Sequence, residues 1–227
     1  MGEIKIICDD ALKWLKKQRD SSLNTIVTGI PDLDELVELD YQRNNKEDYI
    51  RFFENTVELV LNKINPDEYA IFMQTDRKMN GEWIDKSHIT ISKAQEMGYK
   101  LLWHKIIVNR EGTYIQRPTY THLLCFSRNN GPGEAFPDVL SCGQHLYKNG
   151  SPPNAICYVM EFLKKKGVEN IVDPFAGRGT IPFIASVFNI NSLGIDIDPK
   201  QCEAARNITK DRKIINILKN TDYFKNI

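Results

Sequence analysis

The sequence carries no net charge, because its 30 Lys and Arg balance its 30 Asp and Glu. That balance removes the global basic field of many nucleic-acid-binding domains and leaves only a local groove for such a role. Cysteine is scarce and scattered. The five residues, Cys8, Cys125, Cys142, Cys157 and Cys202, are odd in number and include no Cys-x-x-Cys pair, so neither a zinc site nor a disulfide frame is indicated. They read as small apolar residues of a chain in a reducing compartment. His88, His104, His122 and His145 have no metal-ligand spacing, and no metal is expected. Repeats and low-complexity segments are absent. No apolar run is long enough to span a membrane, and the opening Met-Gly-Glu-Ile-Lys-Ile lacks the features of a signal peptide. The expectation is an intracellular protein, cytoplasmic or nuclear, with no membrane partner.

What is present is an apolar fraction of 41% over 227 residues, enough for one globular domain with a sizeable core. The chain is organised around Ile171-Val-Asp-Pro-Phe-Ala-Gly-Arg-Gly-Thr180, followed at once by Ile181-Pro-Phe-Ile-Ala-Ser-Val-Phe188. Ile171 and Val172 read as the end of a buried strand, and Asp173 sits where it stops. Phe175 to Gly179 form a tight loop, and Thr180 opens an amphipathic helix. Fourteen residues after Thr180, Gly194-Ile-Asp-Ile-Asp-Pro199 reads as a second strand ending in a carboxylate, with proline at the next helix start. In such a unit Gly177 and Gly179 let the backbone approach a ligand, and the helix N-terminus favours a negative group. Asp196, nineteen residues beyond Gly177, is placed to accept from two ribose hydroxyls. No Lys follows the last glycine, so this is not a phosphate loop, and the spacing is not G-x-G-x-x-G. The plainer alternative is a Rossmann-like βαβ unit with no ligand.

Upstream, Ile4 to Cys8 reads as a strand closed by Asp9-Asp10, followed by a helix with Leu12 and Leu15 on its apolar stripe. Thr25 to Thr28 is the next strand, ending in Gly29-Ile-Pro-Asp32. The acidic run from Leu33 to Asp40 reads as solvated. Periodicity predicts a helix from Tyr49 to Ile64, a strand from Tyr69 to Met73, and a helix from Trp83 to Met97 capped by Gly98. Leu101–Val108 and His122–Phe126 read as two strands forming an antiparallel edge on an otherwise parallel sheet. The turn-rich stretch from Asn129 reads as a linker, and helices are predicted from Ala155 to Lys166 and from Pro199 to Arg206.

Asp173-Pro-Phe-Ala-Gly-Arg-Gly-Thr180 resembles the S-adenosylmethionine loop of the circularly permuted, β-class amino-methyltransferases of nucleic acids. The opening strand, the Asp10-Ala-Leu helix, the turn, the second strand and the Pro31 motif resemble that family too, and the blocks come in the same order. The resemblance covers nearly the whole chain. It implies an α/β Rossmann-like methyltransferase fold, with helices on both faces of a mostly parallel, seven-stranded sheet. The single domain would divide into a catalytic half (1–128), a linker (129–152) and a cofactor-binding half (153–227). It further implies that Asp173, Pro174, Thr180 and the Phe175–Gly179 backbone hold the methionine end of the cofactor. Asp196 would take the ribose and Asp10 the adenine amino group. The cofactor carries an ammonium, a hydroxyl pair and an amine donor, and strand-end carboxylates accept from all three. For Asp10 the alternative is a helix N-cap, and one side chain can do both.

The catalytic motif departs from the family. Where its members carry Asp, Ser or Asn, then Pro-Pro and an aromatic ring, this chain has Gly29, Ile30, Pro31 and Asp32. The side-chain acceptor is missing at Gly29 and the stacking ring at Asp32. The Ile30 carbonyl can still accept one hydrogen bond from a target amine, and the Asp32 carboxylate can accept another or take a proton. The alternative for Asp32 is a turn or helix-cap residue. Methyl transfer is an in-line displacement, so positioning alone can supply much of the rate. Asp76, Arg77, Arg110, Tyr114 and Arg117 fall in segments that topology brings toward the site, where arginine binds phosphate and tyrosine stacks a base; a solvated edge loop is the alternative. Between Arg128 and Ser151 the chain is too short for a target-recognition module, so selectivity would come from a partner subunit or a structured RNA.

These readings predict an S-adenosylmethionine-dependent methyltransferase acting on a nitrogen of a nucleic-acid base, RNA ahead of DNA. Methylation of a small molecule or protein side chain is the second reading. A catalytically degenerate cofactor-binding subunit that scaffolds a partner is the third.

Overall fold

The computed structural model of the chain describes residues 1–32, 35, 46–79, 81–109, 117–131, 133, 136–147 and 150–225. Strands β1 (Ile4–Cys8), β2 (Thr25–Thr28) and β3 (Ala70–Gln74) are separated by helices α1 (Ala11–Lys17) and α2 (Lys46–Lys63). A two-stranded hairpin follows, β4 (Arg77–Met79) with β5 (Glu82–Ile84), and then α3 (Lys86–Glu96). Next come β6 (Lys100–Val108), β7 (Tyr120–Ser127), β8 (Val139–Ser141) and α4 (Pro153–Lys165). The chain continues through β9 (Asn170–Asp173), α5 (Thr180–Val187), β10 (Asn191–Asp196) and α6 (Pro199–Asn207). A 3-10 turn leads to α7 (Arg212–Lys219) and α8 (Asp222–Lys225).

Among the described residues the main sheet has eight strands, in the order β1-β10-β9-β2-β3-β7-β6-β8. Its centre is assembled from both ends of the chain, since β9 and β10 insert between β1 and β2. The connection from β9 runs toward β1, whereas that from β2 runs toward β7. The strand order therefore reverses between β9 and β2, and ligands of open α/β sheets sit outside the strand ends at such a reversal. The Gly29–Asp32 loop after β2, the candidate acceptor loop, and the glycine loop after β9 leave the sheet side by side at that place.

Alternation along the strands divides the core in two. On β3, Ala70 and Phe72 face a layer with Phe53, Val57 and Leu61 of α2 and Leu15 of α1, and Ile71 and Met73 face a layer with α4 and α5. Helix α2 buries Tyr49, Phe52, Phe53, Val57, Val60 and Leu61, the three-and-four spacing of one helical face. Full burial of each large apolar side chain contributes about 1.5–3 kcal/mol.

Several expectations are corrected. The sheet has eight strands, not seven, because β8 forms within the 129–152 stretch and pairs in parallel with β6. The edge is accordingly not antiparallel; among the described strands β7 alone runs against its neighbours, and it lies inside the sheet between β3 and β6. The helix expected from Trp83 begins at Lys86, because Trp83 belongs to β5 and Asp85 caps the helix by accepting from the His88 N–H at 2.8 Å. Among the described residues no helix is long and apolar enough to cross a membrane.

Candidate functional site

The glycine loop is held from below by two carboxylates. Asp196, at the end of β10, accepts from the Gly177 N–H at 2.8 Å through Oδ2 and from the Asp198 N–H at 2.9 Å through Oδ1. Burial pushes its carboxyl above the ordinary range, against the pull of those backbone donors. Each oxygen keeps a second lone pair for a hydroxyl donor. The loop bends through Gly177 (φ 54) and Gly179 (φ 82), a left-handed backbone that L side chains rarely adopt. A Cβ on Gly179 would also lie 2.9 Å from that of Ala205, so α6 and the start of α5 approach here as only glycine permits. Pro174 and Thr180 are buried on either side of the loop.

Asp173 is 1% exposed at the end of β9. Its Oδ1 accepts from the Thr28 hydroxyl at 2.7 Å and the Phe175 N–H at 3.2 Å. Among the described residues its Oδ2 takes no hydrogen bond. Burial raises the Asp173 carboxyl to about 7, and these two donors only partly oppose that rise. A buried carboxylate with one oxygen spare suits a cationic ligand group, which would restore its ionised form. Asp10 caps α1, accepting from the Leu12 and Lys13 N–H groups at 2.8 and 3.1 Å. It follows β1, whose Cys8 pairs level with Asp196, so Asp10 lies at the same strand ends as Asp196.

Across the crevice, the acceptor loop differs from the sequence expectation in the state of Asp32. The residue is buried. Its Oδ1 accepts from the Tyr49 hydroxyl and Lys86 Nζ, both at 3.2 Å, and its Oδ2 from Arg77 at 3.2 Å and Arg117 at 3.0 Å. A carboxylate offers about four acceptor positions, and four donors occupy them here. Burial pushes the Lys86 ammonium below its ordinary value, an effect the Asp32 carboxylate opposes. Burial and the same carboxylate raise the Tyr49 phenol, which stays a donor. Asp32 also donates its N–H to Glu35 Oε2 at 2.9 Å while Glu35 N–H returns a bond to its carbonyl at 3.0 Å, so the turn reading has a geometric basis as well. Gly29 packs against β3: a Cβ there would meet the Met73 carbonyl oxygen at 3.1 Å. Ile30 is buried in the core, and among the described residues no donor reaches its carbonyl. Pro31 is half-buried.

Asp76 is not free for a substrate. It accepts from Lys86 N–H at 2.9 Å, Trp83 Nε1 at 3.2 Å and His122 Nε2 at 3.1 Å, tying the hairpin, α3 and β7 together. Burial alone would raise its carboxyl, but the His122, Trp83 and Lys86 contacts hold it below the ordinary value. Arg77 and Arg117 are brought to Asp32, and Arg110 and Tyr114 lie outside the described residues. Sequence reasoning missed Thr28, Tyr49 and Lys86. Tyr49 and Lys86 were hidden inside amphipathic patterns, and nothing local marks a lysine that is 2% exposed. Among the described residues no cluster of three or more His, Cys, Asp or Glu could hold a metal. A surface groove of about 670 Å³ between α1 and α2 includes no residue of either loop.

No protein-family model and no curated protein matches the sequence. Solved structures do match the fold. A proposed DNA modification methylase from Thermus thermophilus, solved with S-adenosyl-L-methionine, superposes with a TM-score of 0.67 at 13% identity, over 97% of this chain and 96% of that one. PvuII DNA methyltransferase, cytosine-N4-specific, does so with 0.66 at 15%, over 96% and 92%. The M1.HpyAVI–SAM complex gives 0.59 at 13%, over 90% and 99%. The chain thus has the Rossmann-like fold of these methyltransferases from end to end.

Proposed function

We propose that the protein is an S-adenosylmethionine-dependent methyltransferase acting on a nitrogen of a nucleic-acid base. The observation that carries the reading is the strand-end crevice, where buried Asp173, the Gly177–Gly179 loop and Asp196 present acceptors in the order an ammonium and a ribose require. The fold shared with two S-adenosylmethionine complexes supports it. Asp173 would hold the ammonium, the Phe175–Gly179 backbone the methionine end, Asp196 the ribose hydroxyls and Asp10 the adenine amine. When bound, the cofactor supplies an electrophilic methyl group.

The chain's own contribution is positional. The Ile30 carbonyl accepts an N–H of the target amine and turns its lone pair toward the crevice. Pro31 stiffens that carbonyl's approach. Asp32, with its acceptor positions filled, acts by fixing the loop and takes no proton. The missing side chain at Gly29 also keeps alive a reading as a cofactor-binding subunit that scaffolds a partner. Transfer of labelled methyl groups to separated RNA, DNA and protein fractions distinguishes the two.

The first test is thermal. S-adenosylmethionine or S-adenosylhomocysteine should raise Tm, with about 2.7 kcal/mol of linkage at a hundredfold excess over Kd. Asp196→Ala loses the ribose acceptor and two backbone anchors of the loop, and should abolish most of the shift. A full shift in that variant would remove Asp196 from the cofactor site.

A further inference from the structure

The β4–β5 hairpin has no part in the cofactor crevice, yet it is rooted on the acceptor loop. It leaves the sheet just after β3, at the same strand ends as the crevice. Arg77, its first residue, and Lys86, two residues beyond its last, both hold Asp32 at 3.2 Å. The two strands are tied at Arg77–Ile84 and Met79–Glu82, and the turn uses Gly81 at φ 82. The result is a short hairpin that stands at the same strand ends as the Gly29–Asp32 loop and is tied to it through Asp32.

That hairpin displays an indole. Trp83 is 43% exposed, while Trp14 and Trp103 are 9% and 7% exposed. Its ring is not loose: Nε1 donates to buried Asp76 at 3.2 Å, which fixes the plane at one edge. The exposed Lys78 places its Nζ over one face of the ring, 5.2 Å from the ring centre. The neighbouring Glu82 is paired with Lys46, which offsets the one acid on the hairpin. A half-exposed indole with an exposed ammonium over one face is a combination that takes an unpaired base on the other face and its adjoining phosphate on the cation, because stacking needs a π-face and the phosphate a nearby cation. The bond from the indole N–H to Asp76 anchors the ring at its polar edge and leaves part of its surface to solvent.

We infer that the β4–β5 hairpin is a strand clamp: Trp83 stacks on an unpaired nucleobase next to the target, and Lys78 pairs with the flanking phosphate. The inference rests on the nucleic-acid reading above and specifies its substrate as single-stranded or locally unpaired. Either RNA or DNA carries this chemistry.

The test uses the full chain with a short mixed-sequence RNA, the same sequence as single-stranded DNA, and the DNA duplex, followed by tryptophan emission. Single strands should quench the emission and bind, the tighter of RNA and DNA naming the source, and the duplex should do neither. Trp83→Ala should weaken single-strand binding by roughly tenfold or more. Lys78→Ala should flatten the dependence of log K on log salt by about 0.7, the value of one phosphate on a single strand. Trp83→Phe keeps a ring for packing should the alanine variant prove unstable; it should bind strands but lose the quenching. Equal binding by Trp83→Ala, quenching that persists in Trp83→Phe, or equal quenching by duplex would overturn the clamp. The cofactor-induced rise in Tm separates the two levels. Its presence without strand binding overturns the clamp alone, and its absence in the wild-type chain overturns the reading beneath it.

Discussion

Asp173 shows what burying a single carboxyl does to stability. Its carboxyl moves from 3.8 to about 7 because burial disfavours the charge, and Thr28 and the Phe175 N–H return only part of the loss. A folded-state value above the unfolded one means that the native state binds the extra proton. The associated stability is fully present below pH 3.8 and is lost as pH rises through about 7. Asp173→Asn removes the buried charge and leaves an oxygen for the Thr28 hydroxyl. It should raise stability at pH 8 by on the order of 1–2 kcal/mol, with the gain vanishing toward pH 4, and should forfeit the cofactor-induced rise in Tm. Denaturant titrations of both proteins across that range check the first part. A gain that is the same at both ends of the range would show that charge burial is not the cause.

At the scale of elements, Asp32 is a junction. One carboxylate joins the acceptor loop to α2 through Tyr49, to the hairpin through Arg77, to α3 through Lys86 and to the segment that precedes β7 through Arg117. Removing one member of a buried ion pair costs about 3–5 kcal/mol, because the partner is left charged and uncompensated. Asp32→Asn should therefore destabilise the fold by roughly that amount rather than act only on turnover. Adding Lys86→Met, which deletes the most deeply buried of the three cations, should recover a substantial part. Urea denaturation of the single and double variants measures both numbers. If Asp32→Asn unfolds at the wild-type midpoint, the junction has no structural weight and the carboxylate returns to the list of proton acceptors.

For the molecule as a whole, charge and topology point in different directions. The strand order places two loops at the reversal between β9 and β2, where open α/β sheets hold ligands, but the 30 positive and 30 negative side chains give no long-range pull on a polyanion. Binding to random duplex DNA should be weak at physiological salt, with a shallow salt dependence. The turn-rich stretch after β7, where a recognition module would lie, contributes β8 to the sheet instead. Tight, sequence-selective duplex binding by the isolated chain, measured by anisotropy at two salt concentrations, would refute this view of its selectivity.

The strand–loop–helix–strand unit from β9 to β10 was legible in the amino-acid sequence because its information is local. A strand end, two glycines, a helix start and an acid nineteen residues on are set by periodicity and backbone conformation, and Asp173, Gly177, Gly179 and Asp196 stand where that pattern placed them. The helices α1, α2 and α4 and the strands β1, β2 and β3 were visible for the same reason, to within a few residues at their ends. The acceptor side was not legible, because its meaning lies in contacts between distant parts of the chain. Arg77 and Lys86 reach Asp32 across 45 and 54 residues, and Thr28 reaches Asp173 across 145. Residue type and spacing could name Asp32 as a strand-end carboxylate. Only the folded chain, by filling its acceptor positions with a phenol and three cations, made it an anchor.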